Sequence, residues 1–224
     1  AEENFRPYLA KLDLSSGKWR TWKLPEAALH WPSTALDRSG ELLLCGVGSY
    51  AGQETGILGY NLETGEQKYV FRLGNLKNTV LRGLRFSRDF GSLAFLQEVY
   101  DDRGEDYRML FQVLDMKSGK VHTAYSGREV FAAPVWSPDG RNLMVHGTDY
   151  SPSGYGKALA VVPSAGGPLK KLKIDMSWPQ GLELDSRVVS HDWSPDGKRV
   201  AFTVYAGKEE MYLLKNIIPA SRKK

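Results

Sequence analysis

Residues 136–140 read Trp136-Ser137-Pro138-Asp139-Gly140, and the same signature returns as Trp193-Ser194-Pro195-Asp196-Gly197. Each copy lies between apolar runs rich in β-formers. Val130-Phe131-Ala132-Ala133-Pro134-Val135 precedes the first and Leu143-Met144-Val145 follows it; Arg187-Val188-Val189 and Val200-Ala201-Phe202-Thr203-Val204 flank the second. Two β-runs around a short polar turn are the pattern of a hairpin. Within the turn, Pro138 presets φ, Asp139 tolerates the bridge region, and Gly140 supplies the positive φ that closes a bulged turn. The signature is therefore structural, a marker of fold and not of chemistry.

Two eroded versions come earlier, Leu36-Asp37-Arg38-Ser39-Gly40 and Phe86-Ser87-Arg88-Asp89. The first residues of the four fall at 36, 86, 136 and 193, steps of 50, 50 and 57. A second turn keeps its own register: Asp13-Leu14-Ser15-Ser16-Gly17, Asn61-Leu62-Glu63-Thr64-Gly65, Asp115-Met116-Lys117-Ser118-Gly119 and Ser164-Ala165-Gly166-Gly167 place glycine at 17, 65, 119 and 167, steps of 48, 54 and 48. A repeat of about 50 residues holding four short strands has the size of a propeller blade, and no stretch shows the 3.6-residue period of a helical repeat. The reading is an all-β chain, a β-propeller of four-stranded antiparallel blades with four to five blades present. A partial unit spans 7–25, complete units span 31–73, 80–125 and 130–174, a shorter one spans 187–219, and 220–224 is a basic tail. One such sheet cannot bury both its faces, so neighbours must stack.

The signature, the second turn after each third strand, and the final run Glu210-Met211-Tyr212-Leu213-Leu214-Lys215-Asn216-Ile217-Ile218-Pro219 together resemble bacterial TolB-type, WD40-like β-propellers over nearly the whole chain. That resemblance implies a non-enzymatic module, a subunit or sensory domain, that binds another protein and resides in the bacterial periplasm or envelope, with the cytoplasm as the alternative. No cofactor is expected. Two signatures depart from the pattern: residues 36–40 lack the Trp and Pro, and residues 86–91 lack the Pro and set Phe90 where Gly belongs. Altered turns are expected in those two blades. The parsing yields seventeen strands, not a multiple of four. Either the terminal strands share a blade or the chain is part of a longer propeller; its opening midway through a blade favours the second.

Composition narrows the function classes. With 224 residues, 42% hydrophobic and 25% charged, the chain suffices for a full core, and no apolar run approaches the roughly 20 residues of a spanning helix. Membrane association would therefore come through a complex. The net charge of +4 is dispersed apart from Arg222-Lys223-Lys224, so a nucleic-acid surface, which needs a basic stripe with aromatics, is not indicated. The single cysteine, Cys45, sits in the run Leu42-Leu43-Leu44-Cys45 and reads as a buried, inert thiol, not a nucleophile. The small first residue, Ala1, is compatible with a leader already removed.

Function is sought on the long loops. In a four-stranded meander the tight a–b and c–d turns share one face of the ring, and the b–c and d–a connections share the other. The b–c connections 48–56, 97–107 and 149–156 exceed what closure requires, as functional loops do. Tyr50, Tyr100 and Tyr150 recur there at intervals of 50, and they are the candidate partner-binding residues; a packing role between blades competes with that reading. Asp101, Asp102, Glu105 and Asp106 make one loop acidic without the spacing of an EF-hand. His30, His122, His146 and His191 form no HExxH pair, although His146 and His191 can approach a central channel. Some propeller lyases hold a metal in such a channel, so an enzyme component is the alternative function. A second enzymatic alternative, the gating domain of a prolyl-oligopeptidase-like peptidase, would need a hydrolase domain, and no G-x-S-x-G occurs here.

Overall fold

The computed structural model describes residues 8–24, 33–48, 54–74, 76–101, 107–127, 130–131, 133–148, 159–172, 187–205 and 209–215, and every regular element among them is a β-strand. Strands β1 (Tyr8–Leu12) and β2 (Trp19–Lys23) form a hairpin by themselves. Strands β3 (Thr34–Leu36), β4 (Leu42–Val47), β5 (Thr55–Asn61) and β6 (Gln67–Gly74) form a first four-stranded sheet, and β7 (Thr79–Phe86), β8 (Ser92–Tyr100), β9 (Tyr107–Asp115) and β10 (Val121–Gly127) a second. A third contains β11 (Val130–Phe131), β12 (Val135–Trp136), β13 (Asn142–Thr148), β14 (Leu159–Pro163) and β15 (Lys170–Lys171). A three-stranded sheet of β16 (Arg187–Trp193), β17 (Arg199–Tyr205) and β18 (Glu209–Lys215) ends the series. Pairing is antiparallel between neighbours in sequence except that β11 and β12 both pair with β13, and among the described residues no sheet closes on itself.

The extra strand relative to the expected seventeen arises because the inner strand of the third sheet is broken. Pro134 brings no N–H to the ladder, so Val130–Phe131 and Val135–Trp136 pair with β13 separately. The neighbouring inner strands yield at the same place without proline: β7 shifts register on β8 between Arg82 and Arg85, and β16 on β17 between Val188 and Ser190. At the first of these shifts Gly83 adopts φ +65° and lies so close to the third sheet that a Cβ would stand 2.8 Å from Ala133 Cα. Only glycine admits both the conformation and the approach.

The core lies between the sheets. Leu9 and Trp22 of the hairpin pack on Leu43, Cys45 and Tyr60; Leu44 and Ile57 of the first sheet meet Leu81, Leu84 and Phe95 of the second; Leu96, Met109 and Phe111 meet Leu143, Val145 and Val162 of the third; Met144 and Leu159 meet Trp193, Val200 and Phe202 of the last. Middle strands are thus covered on both faces and read as nearly continuous apolar runs, as in Leu43–Val47 and Leu93–Leu96, whereas the outer strand β6 alternates between exposed and partly buried residues. Each large side chain so buried contributes about 1.5–3 kcal/mol, which is why a single blade is not a stable unit but a stack is.

The expected alteration of the two eroded turns does not occur. All four a–b turns carry the same pair of backbone hydrogen bonds, Asp37 N to Leu42 O with Gly40 N to Asp37 O, and likewise Ser87 with Ser92 and Phe90, Ser137 with Asn142 and Gly140, Ser194 with Arg199 and Gly197. Gly40, Gly140 and Gly197 have φ of 71°, 71° and 68°, and Phe90 accepts 62° in the same place. The backbone bonds and the flanking strands fix the turn, and Phe90 is held there with its ring 5.2 Å from that of Phe86.

Candidate functional site

Of the three recurring tyrosines, Tyr50 and Tyr150 lie outside the described residues. Tyr100 ends β8 on the long-loop side, half-buried. Its backbone N–H donates to Asn78 O at 2.9 Å, and its hydroxyl donates to Glu98 Oε2 at 2.9 Å. That same carboxylate oxygen is 3.3 Å from Arg82 Nε on the innermost strand of the sheet. Glu98 is buried while Arg82 is half exposed, so a charge held inside the blade orients one aromatic and one cation at its long-loop end. Spacing alone did not reveal this cluster; the signal available was a lone glutamate in the apolar run 93–99.

A second polar group lies on the same sheet. Gln112 Nε2 donates to Gln97 Oε1 at 2.9 Å, and Thr123 Oγ1 donates to Gln112 Oε1 at 3.0 Å, tying β8, β9 and β10 together beneath the long-loop end. Buried amides paired in this way hold one register and one side-chain arrangement.

His146 and His191 do approach one another, across the seam between the third and last sheets. Their Nδ1 atoms are 2.8 Å apart, and His191 Nε2 is 3.0 Å from Met144 O. A carbonyl only accepts, so His191 carries its proton on Nε2, its Nδ1 is bare, and His146 Nδ1–H must donate to it. Both rings are buried. Burial, and then the neighbouring His191, lowers the His146 pKa to about 4; burial likewise lowers that of His191. The rings are thus neutral and engaged with each other, and no group of three His, Cys, Asp or Glu side chains gathers among the described residues.

The remaining candidates take up structural places. Cys45 is fully buried, with burial raising its thiol pKa. His122 Nε2–H donates to Ser164 O at 2.8 Å, linking the second sheet to a turn of the third. His30, Asp102, Glu105, Asp106 and the tail 220–224 lie outside the described residues; Asp101 is exposed. Among the described residues no helix is long and apolar enough to cross a membrane.

On the opposite face the polar side chains of the tight turns bond among themselves. Ser137 Oγ donates to Asp139 Oδ1 at 2.6 Å and accepts from Asn142 N at 3.0 Å, while Asp139 Oδ1 accepts from Arg141 N at 3.1 Å. Asp89 and Asp196 repeat this arrangement with Ser87 and Ser194. In each, the serine hydroxyl bond leads the lowering of the aspartate pKa.

Stacked four-stranded meanders with these seams define a β-propeller. Solved structures agree: TolB from Acinetobacter baumannii superposes with a TM-score of 0.61 at 14% identity over 93% of this chain and 46% of its own. An oligogalacturonate lyase in complex with manganese does so with 0.60 at 15% identity over 93% and 59%, and the β-propeller domain of Cps50 (Swd1) from Myceliophteria thermophila with 0.55 at 13% over 93% and 64%. The chain spans 46% to 64% of the length of these structures. No family model and no curated protein sequence matches it. At such identities the likeness is one of fold, shared by a lyase and by proteins bearing no enzyme name.

Proposed function

We propose that the chain is a non-enzymatic β-propeller module that binds another protein through its long-loop face, as a subunit or sensory domain of the bacterial periplasm or envelope. The observation that carries this reading is the difference between the two faces. On the tight-turn face the serine and aspartate side chains are hydrogen-bonded within their own turns. At the long-loop end a buried carboxylate, Glu98, holds the hydroxyl of Tyr100 beside a half-exposed Arg82. A tyrosine fixed by its hydroxyl offers a large amphipathic contact area at low entropic cost, and Tyr and Arg are the residue types that anchor protein interfaces. Tyr50 and Tyr150 extend the same surface in this proposal. Likeness to TolB supports the envelope location by fold analogy only.

The test is affinity purification of the chain and of its Tyr50→Ala/Tyr100→Ala/Tyr150→Ala variant from envelope extract, with melting temperatures taken on the same samples. A stoichiometric companion lost from a variant of unchanged melting temperature is the expected result. A variant that melts early and loses the companion only as it unfolds would make the tyrosines packing residues. A stoichiometric metal ion in place of a protein companion would favour an enzyme component.

A further inference from the structure

The seam between the third and last sheets is fastened differently from the seam before it. Between the second and third sheets, the indole of Trp136 donates to Arg85 O at 2.8 Å. The corresponding indole of the next repeat, Trp193, is 7% exposed, and its N–H is buried with no partner among the described residues. What joins the last two sheets instead is the imidazole relay from His146 Nδ1–H to His191 Nδ1 and from His191 Nε2–H to Met144 O. Trp22, at the seam between the opening hairpin and the first sheet, carries the other such indole among the described residues, but the seam at Trp193 adds to it a link made by two titratable rings.

We infer that the His146–His191 pair is a proton-operated latch, which holds the β16–β18 sheet against the third sheet when neutral and releases it in acid. The chemistry follows from the four ring nitrogens. Two carry protons and donate, one accepts, and His146 Nε2 has no partner among the described residues. A first added proton goes to that nitrogen and leaves the ring-to-ring bond intact, but places a cation in a buried seam. A second can only go to His191 Nδ1, the acceptor, and the bond is then lost.

The described charged groups around the pair are few. From β16, Asp192 favours the charged form of His191; from β7, Arg85 opposes it. On β17, Arg199 is turned to Asp196 at 4.0 Å, and β12 and β14 bring no titratable side chain. Burial is the leading influence on both rings. Because the closed-state pKa of His146 lies at about 4, below the 6.5 of a free imidazole, seam stability is full above pH 6.5 and is lost as pH falls toward 4. At pH 5 the shift of His146 alone raises the opening constant about 30-fold over its value at pH 7.5, by proton linkage, and His191 acts in the same direction.

Amide hydrogen exchange of the chain at pH 7.5 and pH 5.0, corrected for intrinsic rates, tests this within one molecule. Protection in β13, β16 and β17 should fall by about 30-fold or more, while β8 and β9 keep theirs. His146→Gln, which retains an N–H donor and cannot titrate, should reduce the acid response to the part due to His191. Unchanged protection at the seam, or an equal loss in all sheets, would overturn the latch. Nitrogen NMR of the rings supplies a reading that needs no variant: His191 should carry its proton on Nε2 at pH 7.5, and titration of both rings near 6.5 would contradict the proposal.

Discussion

The Ser39 hydroxyl donates to Asp37 Oδ1 at 2.8 Å, which is the Ser137–Asp139 hydrogen bond of the third sheet with hydroxyl and carboxylate exchanged. Asp37 Oδ1 accepts from Leu42 N at 3.1 Å, where Ser137 Oγ accepts from Asn142 N; Ser39 Oγ accepts from Glu41 N at 3.1 Å, where Asp139 accepts from Arg141 N. Burial raises the Asp37 pKa, but the bonds from Leu42 and Ser39 outweigh it and the net direction is down. Both orders of hydroxyl and carboxylate accompany the same backbone turn. Asp37→Ser alone and Ser39→Asp alone should each lower stability by about 0.5–2 kcal/mol, and the double exchange should return to within about 0.5 kcal/mol of the starting protein. Denaturant unfolding of the four proteins measures this; additive losses would refute the exchange.

Turn conformation leads to a second expectation. Gly140→Val and Gly197→Val should each cost about 1–3 kcal/mol, because a β-branched residue is strained at positive φ, and Gly40→Val should behave alike since its φ is the same 71°. Phe90→Gly should stay within about 0.5 kcal/mol: relief of left-handed strain is offset by glycine's chain entropy and by the lost contact with Phe86. Thermal melts decide both parts.

The glutamate that holds Tyr100 should matter more than the arginine beside it. Glu98→Ala removes the buried carboxylate that accepts from the Tyr100 hydroxyl and faces Arg82, and is expected to cost about 1–3 kcal/mol. Arg82→Ala removes a half-exposed partner and should cost less than about 1 kcal/mol. Chemical denaturation of the two variants gives the comparison.

Acid titration should separate two sets of groups. Hydrogen bonds from the Ser15 side chain and the Ser16 backbone lower the Asp13 pKa from 3.8 to about 2. Its contribution to stability is therefore present above pH 3.8 and is lost only as pH falls through about 2, well below the histidine window between 6.5 and 4. Carboxyl-carbon NMR should place the Asp13 midpoint near 2, and a midpoint near 3.8 would contradict the turn geometry.

The fold was legible because the blade repeat leaves two independent periodic marks, the Trp-Ser-Pro-Asp-Gly turn and the later Asp/Asn-to-Gly turn; the first recurs in the hydrogen bonds of all four copies and the second in those at Asp13, Asn61 and Asp115, whereas the copy at residues 164–167 closes differently, with Gly166 N donating to Pro163 O. The sequence misled at Leu36–Gly40 and at Phe90, since letters record side chains while the turn is set by backbone bonds that an exchanged pair, or a strained phenylalanine, satisfies equally well. The site was less legible. His146 and His191 read as separate approaches to a channel because they stand 45 residues apart on different sheets, and no periodicity announces a contact across a seam. Arg82, Glu98 and Tyr100 meet through strand pairing that places Val80 opposite Glu98, a register that emerges only once the bulge at Gly83 is known.

The most direct measurement is amide hydrogen exchange of the chain alone and in complex with the companion recovered through it. Binding at the long-loop face predicts new protection at residues 78–80, 98–101 and 107–109, and none at the turns 37–42, 87–92, 137–142 and 194–199. Protection concentrated on those turns would contradict the account.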